Sequence, residues 1–392
     1  MQQTWRWFGP DDPVTLQNIV QAGASGVVSS LHQVATGDAW KLEDILERKA
    51  MIEAAGLEWT VVESIPVHND IKTRSGNYQT YIDNYKISLR NTGAAGIAVV
   101  CYNFMPVVDW TRTNLKYELP NASQALRFEM TDFAAYDVYL LQRENAAADY
   151  DPEILRQAKQ RFDAMSPEER AELENNIIAG LPGGQDSHSR DSIRSAIAQF
   201  IDLGTEGMRQ TLCAFLAEII PGAEDAGVRM CIHPDDPPFS LFGLPRVVST
   251  AVDARALLAA VPSVSNGLTL CAGSFGARAD NDLVAMVKEF GSHIHFVHLR
   301  NIRREADGSF YESEHLDGDN DIVGLVAALL DEEARRATAG RRDQIPMRPD
   351  HGHTLGSEIG MTGVNPGYCF AGRLKGLAEL RGVMHAVERL RS

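Results

Sequence analysis

Four short apolar runs in the second half of the chain end on residues that bind divalent metals. GVRMCIH ends at His233, GLTLCAG carries Cys271, HIHFVHLRN carries His298 and QIPMRPD ends at Asp350. Each alone has an ordinary explanation: a hydrogen-bonded histidine, a small core thiol, an aspartate in a turn before glycine. Together they offer two imidazoles, a thiolate and a carboxylate. That mixture of N, S and O donors suits Mn²⁺, Fe²⁺, Co²⁺ or Zn²⁺ and argues against Mg²⁺ or Ca²⁺, which prefer oxygen shells. After His233, the turn PDDPP is stiffened by prolines, so the histidine stays presented. Asp235 and Asp236 are placed to orient a histidine or an arginine, or to form a solvated acidic turn.

Other groups crowd the same strand ends. In MRPDHGHTLG, His351 follows Asp350 and can act as a general acid or base. Arg348 shares a face with Asp350 if the strand alternates; it can hold a substrate carboxylate or close an interior salt bridge. Arg300 and Asn301 follow His298 and are candidate substrate contacts. At the N-terminus, TWRWF sets Arg6 on the face opposite Trp5 and Trp7. Trp5 and Arg6 are carried as substrate contacts, with core packing as the alternative for both tryptophans. The stretch FYESEHLDGDND (310–321) holds Tyr311 and His315 and is long enough to close over a ligand.

Positioning these groups on one rim requires an α/β fold. Four further runs, TWRWF (4–8), GVVSSL (26–31), LEWTVVES (57–64) and GIAVVCYN (96–103), bring the strands to eight. Most read as fully buried rather than alternating, as parallel strands do. Helical patterns lie between them, among them DPVTLQNIVQAG, with Asp12 as N-cap and Gly23 as stop, and KLEDILERKAMIEAAG. Eightfold strand–helix alternation predicts a (β/α)₈ TIM barrel, with the doubly wound sheet as the competing architecture. Residues 1–392 form one barrel domain on this reading. Residues 104–205 exceed an ordinary connection and predict a helical insertion between strands 4 and 5, with Ser166 and Glu169 as a capping box. LPGGQDSHSRDS (181–192) predicts a mobile loop.

With 37 Lys+Arg against 53 Asp+Glu, the net charge of −16 disfavours nucleic acid as a partner. No apolar run is long enough for a membrane span. Five cysteines without a CxxC pair, and no leader pattern, predict a reducing, cytoplasmic location.

The segments TWRWFGPDDPVTL, GVVSSLH, IHPDDPP, TLCAGSFGAR, HFVHLRN, HLDGD and RPDHGH closely resemble the mannonate dehydratase family of xylose-isomerase-like barrels, over essentially the whole chain. The resemblance implies dehydration of D-mannonate to 2-dehydro-3-deoxy-D-gluconate in hexuronate breakdown, with Mn²⁺ or Fe²⁺ as cofactor. It places the metal ligands on His233, Cys271, His298 and Asp350 and a proton-transfer role on His351. It also implies a catalytic tyrosine, for which Tyr368, in NPGYCF, and Tyr311 are the candidates. A homo-oligomer, specifically a dimer, is expected from the surface that the insertion offers. The alternatives are a metal-dependent sugar isomerase or epimerase on the same barrel, and a non-catalytic sugar-acid binding protein.

Overall fold

The computed structural model describes residues 1–178, 190–341 and 343–391. Its strands are β1 (Gln2–Arg6), β2 (Gly26–Ser29), β3 (Glu58–Glu63), β4 (Val99–Tyr102), β5 (Asn114–Glu118), β6 (Gln124–Phe128), β7 (Arg229–Ile232), β8 (Asn266–Cys271), β9 (Ile294–His298), β10 (Ile302–Arg304), β11 (Phe310–Glu312) and β12 (Pro346–Arg348). Eight of them close a barrel in the order β1, β2, β3, β4, β7, β8, β9, β12, with every neighbouring pair parallel. All eight runs picked from the sequence are barrel strands. The first starts two residues earlier than expected, because Gln2 and Gln3 pair with Pro346 and Met347.

Side-chain alternation sorts two layers. Val28, Val61, Val99, Cys101, Cys231 and Phe296 form a small buried cluster of their own, the filling of the barrel. Trp5 and Val27, adjacent in register, belong instead to the large cluster between strands and helices. Helix Leu42–Ala54, for example, buries Ile45 and Ile52 completely in that layer. Each such side chain contributes about 1.5–3 kcal/mol of apolar burial. The register also builds the site: Cys271 lies beside His298, and His298 beside Arg348. Three chemically active side chains therefore sit on one level at the C-terminal end of the barrel.

Residues 104–205 do interrupt the barrel between its fourth and fifth strands, but they are not purely helical. They open with β5 and β6, which join β11 and β10 in an antiparallel sheet of order β10-β11-β6-β5. Helices Met130–Ala135, Pro152–Ala164, Pro167–Ile178 and the start of Arg190–Asp225 follow. The Ser166–Glu169 capping box forms, with Ser166 N donating to Glu169 Oε2 at 2.8 Å. The first helix is capped by Thr15, not Asp12; the Asp12 carboxylate instead accepts from Phe8 N and Val14 N, both at 2.9 Å. Gly23 ends that helix with φ +77°, as its type predicts. Of the loop expected over 181–192, residues 181–189 lie outside the described residues, and 190–192 begin helix Arg190–Asp225. Among the described residues no helix is long and apolar enough to cross a membrane.

Candidate metal centre and active site

Each of His233, Cys271 and His298 brings a donor atom within 4.8 Å of the other two. His233 Nδ1 donates to Pro234 O at 2.7 Å, so the stiff turn after β7 fixes which ring nitrogen faces the site. His298 Nδ1 is buried and makes no hydrogen bond among the described residues. Such an atom is costly to leave unpaired, and a metal bond satisfies it. Burial pushes the Cys271 thiol up, but the Arg300 guanidinium and His233 outweigh it and hold the thiol well below its ordinary range. Burial likewise disfavours the His233 imidazolium, and the Cys271 thiolate overcomes this, raising it to about 10. The donor set is that of a borderline-soft divalent ion, and the residues fit one.

Asp350 stands beside this trio rather than within it. Its Oδ2 lies 3.9 Å from Cys271 Sγ and its Oδ1 3.9 Å from His298 Nδ1. Burial raises its carboxyl, yet Arg348, with Nη1 2.5 Å from Oδ1, holds it well below the usual carboxylate range. Asp350 also has φ +68°, a left-handed conformation that non-glycine residues rarely adopt and that gathers at functional sites.

The two arginines are tied into the protein. Arg348 lies 3.1 Å from Glu63 Oε1 and donates to His298 Nε2 at 3.1 Å, so the interior ion-pair reading describes it, although it also lines the cavity. Arg300 reaches Asp236 Oδ2 at 2.7 Å, Glu312 Oε1 at 2.6 Å and Asp350 Oδ2 at 3.3 Å. It lies so close over Gly273 that a Cβ there would collide with its guanidinium. Arg112, fully buried, spans the same two carboxylates, with Nη1 2.8 Å from Asp236 Oδ1 and Nη2 2.9 Å from Glu312 Oε1. Arg112 belongs to the interrupting segment, Glu312 to β11 and Asp236 to the loop after β7. This ion network thus pins the antiparallel sheet to the barrel mouth. Asp236 orients arginines as the sequence suggested; Asp235 instead accepts from Val248 N and Ser249 Oγ, both at 2.8 Å, and braces its own loop.

A cavity of about 150 Å³ opens over this level, lined by Arg6, Glu63, His233, Arg300, Arg348, Asp350, His351 and Tyr368 among others. Glu312 Oε2 sits 2.8 Å from His351 Nδ1 and fixes the ring. Tyr368 meets His351 edge-on with ring centroids 4.9 Å apart, and burial pushes its phenol up to about 12.

Three expected site residues lie elsewhere. Trp5 is fully buried outside the barrel, under the Arg373 guanidinium at 4.2 Å, because odd positions of β1 point to the helices. Asn301 is turned away to donate to His315 O and Asn320 O, both at 3.1 Å, holding the loop after β9. Tyr311 packs on Tyr117 at 5.5 Å, on the opposite face of β11 from Glu312. Its stretch is no free lid: it supplies β11, and His315 is buried against Pro349 O. Glu63, Glu312, Arg112, Lys72 and Trp110 were missed. Glu63 alone carried a signal, since it ends β3 as the recognised residues end their strands.

The whole chain, residues 1–392, matches the family model described as D-mannonate dehydratase (UxuA). A mannonate dehydratase of Saccharophagus degradans is 71% identical over 391 residues, covering 100% of this chain and 98% of that protein. Mannonate dehydratase 2 of Agrobacterium fabrum is 58% identical over 389 residues, covering 99% and 98%. The crystal structure of mannonate dehydratase from Streptococcus suis serotype 2 superposes with a TM-score of 0.79 at 36% identity, covering 100% of this chain and 94% of that one. A D-psicose 3-epimerase, at TM-score 0.51 and 12% identity over 98% and 99% of the chains, shares the fold alone.

Proposed function

The chain belongs to the D-mannonate dehydratase family, a family of hydro-lyases, and from that premise we propose how its residues remove water from mannonate. His233, Cys271 and His298, with Asp350 beside them, would hold one Mn²⁺ or Fe²⁺ ion. A bound divalent cation supplies Lewis-acid stabilisation of the negative charge that gathers on the substrate carboxylate as the C2 proton leaves.

The chain's own groups carry the protons. His351 stands on the cavity wall with Nδ1 held by Glu312, which orients the ring and supports a positive charge on it. It is the base for the C2 proton. Tyr368 keeps its phenolic proton at neutral pH, since burial raises it to about 12, and donates it to the departing C3 hydroxyl. Arg6 and Arg348, which line the same cavity, position the carboxylate and neighbouring hydroxyls. Arg300 holds the network that sets Asp350 and Glu312 in place.

One observation carries this reading: three metal-type donors converge beside the cavity, and one of them, His233, lines it together with His351 and Tyr368. A thiolate ligand suits a reducing, cytoplasmic setting, and all five cysteines are free. The reading extends to a homodimer formed on the surface of the 104–205 segment, which light scattering on the purified protein tests. The central test is turnover by chelator-stripped protein. Formation of a 2-keto-3-deoxy acid from D-mannonate should vanish on stripping and return with Mn²⁺ or Fe²⁺. Full activity in the stripped protein would refute the metal assignment.

A further inference from the structure

The metal-type donors come from β7, β8, β9 and the end of β12, one arc of the barrel. The cavity continues to the arc of β3 and β4, where its wall has a different chemistry: Lys72, Asn103, Asp109 and Trp110. Lys72 is 4% exposed. Its ammonium donates to Met105 O at 2.7 Å, and among the described residues no carboxylate lies within ion-pair distance of it. An ammonium has three donors, so among the described residues two remain without a protein acceptor. Trp110 is 6% exposed, and its indole N–H makes no hydrogen bond among the described residues. Its ring stands edge-on to His351 at 5.9 Å, beside the proton-transfer pair. Asn103 Nδ2 donates to Asp109 Oδ2 at 3.0 Å, and among the described residues no hydrogen bond reaches the other carboxylate oxygen.

These groups are held firmly. Trp110 forms a bridge with Asp236, whose carboxylate is pinned by Arg112 and Arg300. The Arg112 guanidinium also lies 4.8 Å from the Trp110 ring centre. Buried donors without partners are expensive unless a ligand completes them. A six-carbon aldonate, anchored by its carboxylate at the metal side, extends its remaining hydroxyls towards the opposite arc. We infer that Lys72, Trp110 and Asp109 form the site that reads the distal hydroxyls, on C5 and C6, of the substrate. Lys72 and Trp110 donate to hydroxyl oxygens, and Asp109 accepts a hydrogen bond from a hydroxyl. Burial also lowers the Lys72 ammonium from its ordinary value, which marks how little solvent it keeps. The inference rests on the placement of the substrate carboxylate proposed above.

The experiment compares two ligands on the Mn²⁺-loaded enzyme: D-mannonate and L-erythronate, a four-carbon acid that keeps the C2 and C3 configuration but lacks the distal chain. In the wild type, L-erythronate should compete with mannonate only when metal is present; failure of that competition overturns the carboxylate placement itself. With it established, Lys72→Met should raise KM for mannonate tenfold or more and leave the apparent inhibition constant of L-erythronate unchanged. Trp110→Phe, which removes the N–H and keeps an aromatic ring, should show the same split more weakly and serves if Lys72→Met does not fold. An unchanged mannonate KM in the variants, or equal weakening of both ligands, would overturn the distal-hydroxyl site.

Discussion

Replacing Arg112 with methionine tests whether the ion network joins the interrupting segment to the barrel. The guanidinium is fully buried and spans Asp236 and Glu312. Removing one partner of a buried ion pair costs about 3–5 kcal/mol, because the remaining charge is left without compensation. Arg300 still reaches both carboxylates, at 2.7 and 2.6 Å, so the lower end of that range is expected. Unfolding entropy of about 2.1 cal/mol/K per residue gives roughly 0.8 kcal/mol/K for 392 residues. A loss of about 3–5 kcal/mol then lowers the melting midpoint by about 4–6 °C. Calorimetry at pH 7 on Arg112→Met, Glu312→Gln and the double variant measures this directly. The double variant should be less destabilised than the sum of the singles by about 1 kcal/mol or more, since the removed groups touch. Arg255→Met, which breaks an exposed pair with Glu289 and a 6.0 Å contact over the Phe290 ring, is the control and should shift the midpoint far less. Equal effects of Arg112→Met and Arg255→Met, or strict additivity with Glu312→Gln, would refute the network as the fastening.

Two further outcomes follow from the site. Tyr368→Phe should lower kcat by about 10²–10⁴, the usual worth of a positioned proton donor, while Tyr311→Phe leaves it essentially unchanged; steady-state kinetics on both decide which tyrosine acts. For Glu312, burial pushes the carboxyl up, but Arg300, His351 and Arg112 together bring it from 4.5 down to about 2. A depressed carboxyl stabilises the fold above its unfolded value and loses that contribution as pH falls through the folded one. The stability gap between wild type and Glu312→Gln should therefore be largest above about pH 5 and shrink by about 3 kcal/mol towards pH 2. Urea titrations across that range showing a constant gap would contradict the assigned ionisation.

The barrel was legible because its strands are short, apolar and parallel, and each ends where polar side chains begin. The same signal marked His233, Cys271, His298 and Asp350, and alternation along β1 set Arg6 on the face opposite Trp5 and Trp7. Glu63 ends its strand in the same way, but a glutamate at a strand end reads equally as a solvated surface charge. Arg112 and Glu312 were not legible. Their partners are far away in sequence, 200 residues apart from each other, and β10 and β11 span only three residues each, too few for periodicity to register. The alternation in NLKYE, residues 114–118, was present but lay among stronger helical patterns, so the segment read as helical throughout. Trp5 and Tyr311 lie away from the cavity for one reason: a strand places successive side chains on opposite faces, and the facing direction is set by neighbours that no local pattern reveals.

The central claim is a single transition-metal ion held through the thiolate of Cys271. Anomalous diffraction at the manganese edge, from crystals grown with Mn²⁺, tests it most directly. The account predicts one strong peak per chain, at bonding distance of about 2.0–2.5 Å from Cys271 Sγ and from a nitrogen of both His233 and His298. Absence of a peak among these three side chains, or a peak bound elsewhere with Cys271 uninvolved, would contradict it.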